Sequence, residues 1–184
     1  EKQKHLGALN MKSEFLKYIG AEDSLAGYSR SYKLVLYKAF FSLMDSNGNA
    51  SGYKVAESFR NYYVDRVRCG LKADINVDSR IEDIEQSSVQ DVYDVILLNP
   101  FKHISDRGYL LRKKDANGKE QFVLNQELLR ELTKEDIENI LSIVDQKLSL
   151  YFSKIDGGAH RMTLHDLVSR WIDEYSSVLS SVKE

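Results

Sequence analysis

The segment LLRKKDANGKEQFVLN, residues 110 to 125, constrains this chain more than any other. Elsewhere the apolar residues recur at helical spacing. Here two strand-like runs flank Asn117-Gly118. That pair is favoured in tight hairpin turns because both positions tolerate positive φ, and Asp115 and Ala116 allow a loop longer than two residues. The first run brings Arg112, Lys113 and Lys114 into the turn. The second alternates, which predicts Phe122 and Leu124 inward and Gln121 and Val123 outward.

Helices are predicted on both sides of this hairpin. Met11 to Ile19 forms a short helix that stops at Gly20, and residues 21 to 30 read as a loop. Tyr32 to Met44 is apolar enough to be largely buried, with Leu36, Phe40, Leu43 and Met44 at helical spacing. A second helix starts near Ser51 or Gly52, carries the stripe Val55, Ala56, Phe59, Tyr63 and Val67, and ends at Gly70. Residues 71 to 87 are irregular, with one helical turn near Ile81. Ser88 and Asp91 make a capping arrangement for a helix that buries Val92, Val95 and Ile96. That helix stops at Asn99, because Pro100 disfavours a helical residue before it. Beyond the hairpin, Thr133 and Asp136 cap a long helix with Ile137, Ile140, Leu141, Val144, Leu148 and Tyr151 on one face. Asp156-Gly157-Gly158 breaks it. Thr163 and Asp166 open a last helix whose apolar face runs from Leu164 through Trp171 to Leu179.

Helix, helix, helix, hairpin is the order of a winged helix-turn-helix. The expected fold is therefore mainly α with a small β-hairpin: an N-terminal helix and linker over 1–30, a winged-helix-like centre over 31–130, and a C-terminal helical extension over 131–184. A 42% apolar fraction suits a chain with a core of its own. No apolar run reaches 18 residues, so no membrane partner is expected. Cys69 is the only cysteine, which excludes an internal disulfide and points to a cytoplasmic setting. The chain opens on Glu1 in mid-pattern, as a piece of a larger protein would.

The net charge of −2 conceals two blocks of opposite sign. Residues 74 to 94 hold seven acids against Arg80 alone, and residues 99 to 120 hold six basic residues against three acids. On a projecting hairpin, cations reach phosphates that a flat surface does not, and each neutralised phosphate releases counterions. Arg112, Lys113, Lys114 and Lys119 are the candidate nucleic-acid contacts, with Lys102, His103 and Arg107 as a second tier. Such contacts position a protein without reading sequence. The bland alternative is a solvated wing whose charges keep an edge strand from pairing.

SYKLVLYKAFFSL (31 to 43) and ILLNPFKHISDRGYLL (96 to 111) together resemble a region C-terminal to the motor in some bacterial superfamily II helicases and restriction-associated proteins. The shared elements are the helix opening on Ser31-Tyr32-Lys33, then Asn99-Pro100-Phe101, then the strand entry Asp106-Arg107-Gly108-Tyr109-Leu110. The likeness covers about residues 31 to 155. It implies a DNA context and says nothing about which residues touch DNA. No phosphate-binding loop occurs in the chain, so the implied role is accessory rather than motor.

No catalytic or cofactor site is read from the sequence. Asp45-Ser46-Asn47-Gly48-Asn49 suggests a calcium loop, yet its sixth and twelfth positions are Ala50 and Ala56 rather than Gly and Glu. Asp115 to Lys119 fails as well, because a strand follows it. His160 and His165 are five apart, off the spacing of two ligands on one helix face. Asp145-Gln146-Lys147 lies in a helix, without the clustered carboxylates of a nuclease. Tyr28, Tyr32, Tyr62 and Tyr63 are read as core-edge residues in preference to base-stacking ones. The expected function is a non-catalytic nucleic-acid-binding accessory domain of a larger helicase or restriction-type protein. The alternative is a protein-interaction or homo-oligomerisation module using the acidic stretch and residues 163–182.

Overall fold

The computed structural model of the chain describes residues 2–20 and 30–156, with only the helical backbone for residues 2–10. The elements in order are α1 (Lys2–Gly20), α2 (Tyr32–Leu43), β1 (Asn49–Ser51), α3 (Gly52–Arg68), α4 (Val89–Ile96), α5 (Lys102–Ser105), β2 (Leu110–Lys114), β3 (Glu120–Leu124), α6 (Gln126–Glu131) and α7 (Lys134–Ile155). The described part is mainly helical, with a three-stranded antiparallel sheet. The helix expected from Thr163, with His160, His165 and the oligomerisation surface 163–182, lies outside the described residues.

Helix α2 is the centre of the core. Tyr32, Leu34, Val35, Leu36, Tyr37, Ala39, Phe40 and Phe41 are all buried, so three sides of the helix face protein. Leu43, expected in the buried stripe, is 41% exposed at the helix end. Helix α3 buries Gly52 and the stripe Val55, Ala56, Phe59, Tyr63 and Val64, with Val67 of the expected stripe only half-buried, and Gly70 ends the segment at φ +74°. Helices α1 and α7 join the same core through Phe15, Ile19, Val144, Leu148 and Phe152. Phe15 meets Tyr37 and Tyr109 edge-on, with centroids 6.0 and 4.9 Å apart.

The helix starts follow the capping signals. Ser88 and Asp91 form a reciprocal capping box at α4, and Thr133 and Asp136 form another at α7. Asp136 also accepts from Lys12 at 2.7 Å, which ties α1 to the first turn of α7. The chain leaves helical geometry at Asn99 (φ −167°), as Pro100 requires, and resumes for one turn as α5.

The sheet order is β1-β3-β2, so the hairpin has a third strand. Its register pairs Ala50 and Arg112 with Phe122, and Leu110 with Leu124. Strand β3 is therefore central. Val123, expected outward, is buried, because it stands between Asn49 of β1 and Leu111 of β2. Alternation exposes one face only when that face lacks cover.

Two turns of this sheet share one design. At Asp45–Asn49 and at Asp115–Lys119, the aspartate N–H donates to the fifth residue's carbonyl at 2.9 Å. The glycine N–H returns to the aspartate carbonyl, at 3.0 Å for Gly48 and 2.9 Å for Gly118. Each carboxylate accepts from two backbone N–H groups, of Asn47 and Asn49 in one turn and of Asn117 and Lys119 in the other. Gly48 and Gly118 take φ +79° and +75°. This is a type I turn closed by a glycine bulge, longer than a two-residue hairpin.

Part of the acidic stretch is internal. The Asp74 carboxylate is buried and accepts from the Ser31 N–H (2.8 Å), the Ser31 hydroxyl (2.7 Å) and the Tyr151 hydroxyl. It joins the loop after α3 to the start of α2 and to α7. Asp78 caps the helical turn Ser79–Ile81, and the Arg80 guanidinium holds its carboxyl down at about 2.

Candidate nucleic-acid interface

The hairpin gathers three lysines at its tip. Lys114 pairs in register with Glu120, Lys113 with Gln121, and Lys119 closes the turn. All three side chains are exposed. Neither Lys113 nor Lys119 has an ion-pair partner among the described residues, and Lys114 comes only within 3.9 Å of Glu120.

Arg112 differs. Its guanidinium forks onto the Glu120 carboxylate, with Nε and an Nη donating at 2.7 and 2.9 Å. That hydrogen bonding holds the Glu120 carboxyl below its usual range and raises the Arg112 guanidinium further. The pair sits beside Tyr93, whose ring centroid is 5.9 Å from the guanidinium carbon. Burial pushes the Tyr93 phenol up to about 12. The Arg112 charge is thus already matched within the hairpin.

The second-tier residues lie at the other end of β2. Lys102 and His103 are exposed on α5, and the Arg107 guanidinium covers the Tyr18 ring of α1 at 4.4 Å. The five-residue strand separates them from the tip by roughly 15 Å. The structure therefore places Lys113, Lys114 and Lys119 at the turn end of the hairpin, Lys113 and Lys114 on opposite faces of β2, and leaves Lys102, His103 and Arg107 apart from them.

A column of rings, missed in the sequence, supports the hairpin. Tyr53 stacks on Tyr93 (4.8 Å, 23°), Tyr93 on Phe122 (5.7 Å, 11°) and Phe122 on Phe101 (4.5 Å, 25°). It runs from buried Phe101 and Phe122 outward to Tyr53, which is 41% exposed. Gly52 makes room for it: a Cβ there would lie 2.8 Å from a Tyr93 ring carbon. The Tyr53 hydroxyl donates to Gln90 at 2.8 Å, joining the first turns of α3 and α4. These rings come from α3, α4, β3 and the segment just before α5, so no spacing in the sequence signals them. Of the tyrosines expected at the core edge, Tyr32 and Tyr63 are buried, Tyr62 is half-buried, and Tyr28 lies outside the described residues.

The outward face of α4 is acidic. Gln90, Asp91 and Asp94 are exposed, and the preceding loop adds Glu82 and Asp83. No group of three or more His, Cys, Asp or Glu among the described residues is arranged to hold a metal ion. No described helix is long and apolar enough to cross a membrane. Neither a family model, nor a curated protein, nor a solved structure matches the chain.

Proposed function

We propose that this chain is a non-catalytic, winged-helix-like accessory module of a larger bacterial helicase or restriction-type DNA-processing protein in the cytoplasm, and that it grips nucleic-acid phosphates through its hairpin wing. The order α2-β1-α3-α4-α5-β2-β3 with strand order β1-β3-β2 supports the winged-helix-like reading, with the single turn α5 added before the hairpin. The observation that carries the function is the exposure of Lys113, Lys114 and Lys119 at the turn end of the hairpin. Arg112 is a reserve contact, held by Glu120. Lys102 and His103 serve a longer strand that reaches the base of the wing, and Arg107 stays on Tyr18.

The mode departs from helix-in-groove binding. The helix that would enter the groove is α4, and Asp91 and Asp94 on its outer face repel phosphates. Contact is therefore electrostatic anchoring by the wing, without base readout by α4. The same acidic face favours a second reading, a module that docks a basic protein partner through Glu82, Asp83, Asp91 and Asp94.

Fluorescence anisotropy with labelled DNA, from low to physiological salt, separates the two readings. Wing contact predicts binding that weakens steeply with salt. A Lys113/Lys114/Lys119→Ala variant should lose about two to three units of the log–log salt slope. Absence of binding at low salt would remove the nucleic-acid reading and leave the protein-docking one.

A further inference from the structure

We infer that Tyr53 is a stacking platform for an unpaired nucleobase, so that the preferred ligand of the wing is single-stranded nucleic acid. The inference rests on the phosphate-binding reading above and names its substrate class. One face of the Tyr53 ring is fixed by Tyr93 at 4.8 Å, and Tyr93 is in turn backed by Phe122 and Phe101. The ring cannot retreat into the core, because the column behind it is filled. Its hydroxyl is tied to Gln90, which fixes its orientation. The residue is nevertheless 41% exposed, and no other described ring covers it. A rigid aromatic surface held open to solvent is what a sequence-tolerant base contact needs, since every base has a π face.

Its position matches the wing. Ser51, two residues before Tyr53, pairs with Gln121, and Gln121 pairs with Lys113. The Tyr93 hydroxyl lies 3.4 Å from Glu120, the register partner of Lys114. The lysines and the ring therefore flank the same end of the sheet. Lys114 shares its face of β2 with Arg112, which lies beside Tyr93, so a strand whose phosphates follow Lys114 presents its bases on the side of Tyr53. A duplex keeps its bases stacked on one another and withholds them.

The test compares a labelled oligothymidylate with a strand of the same length in which abasic sites replace the bases. Both carry the same phosphates. The native chain should bind the base-containing strand about tenfold more tightly. Tyr53→Ala should abolish that preference while leaving affinity for the abasic strand and the salt slope unchanged. Tyr53→Phe should keep the preference, since the ring remains. Equal native affinity for the two strands overturns the stacking inference and leaves phosphate binding by the wing intact. A preference that survives Tyr53→Ala overturns it too, by moving the stack elsewhere. Binding to neither strand at low salt removes the phosphate reading and this inference together. Thermal unfolding of both variants shows whether they are folded, and at a surface ring both should be.

Discussion

Asp45-Ser46-Asn47-Gly48-Asn49 and Asp115-Ala116-Asn117-Gly118-Lys119 are nearly the same sequence and take the same hydrogen-bonded turn. Their surroundings are opposite. A Cβ on Gly48 would come within 3.0 Å of a Leu129 methyl and 3.3 Å of the Leu124 Cβ, whereas nothing lies within 4 Å of one on Gly118. The Gly48 carbonyl accepts from Leu124 at 2.8 Å and the Asn47 carbonyl from Gln126 at 3.2 Å. The first turn is a joint, fixing β1 against β3. The second is a tip that presents lysines. Five residues specify the local backbone in both places, and the environment decides what the turn is for.

Exchanging the two glycines sharpens that contrast most. Gly48→Ala combines left-handed strain with crowding against Leu129, and should cost about 3 kcal/mol in urea unfolding. Gly118→Ala meets the strain alone and should cost about 1 kcal/mol. Equal losses would mean that the packing around Gly48 is irrelevant. The aspartates should behave alike, because each carboxylate makes the same pair of bonds to backbone. Asp45→Ala and Asp115→Ala should each cost about 1 kcal/mol. An Asp45 effect much the larger would place the distinction in the carboxylates as well as the glycines.

The lysines of the tip complete the series. Lys113, Lys114 and Lys119→Ala should change unfolding stability by less than about 0.5 kcal/mol each, while reducing affinity for DNA. A large stability loss would turn the tip into a second joint.

The smallest effect concerns Glu120. Arg112 depresses its carboxyl in the folded state, so the pair's contribution is fully present above the ordinary glutamate value of 4.5 and is lost as pH falls through the lower folded value. Glu120→Gln should remove that part of the acid dependence of the urea midpoint. By releasing Arg112 it should also raise the salt slope of DNA binding by up to about one unit. An unchanged slope would mean that Arg112 does not reach phosphate even when freed.

Much of this fold was legible in single residues. Ser88, Thr133 and Gly70 set helix ends by local chemistry where expected, and Pro100 breaks the helical geometry at Asn99 although α4 itself ends at Ile96. Strand β1 was not legible. Asn49-Ala50-Ser51 is too short to show a period of two, and it exists because β3 offers it an edge. Missing β1 also misassigned Val123, whose burial follows from β3 being central. The site divided in the same way. The lysines of the hairpin were visible as a charge run beside a turn. The Arg112–Glu120 pair was not, since a strand register and a bulge bring those two residues together. The column from Tyr53 to Phe101 joins residues far apart in the chain, and only the folded molecule assembles it.

The central claim is that the wing, and not α4, meets nucleic acid. Amide chemical-shift mapping of the isotope-labelled chain with a short single strand at low salt tests it most directly. The account predicts perturbations concentrated at residues 112–120 and around Tyr53 and Lys54, with the amides of residues 82–85 and the α4 residues beyond Gln90 little changed. Perturbations centred on Asp91 and Asp94 with a silent wing, or none anywhere, would contradict it.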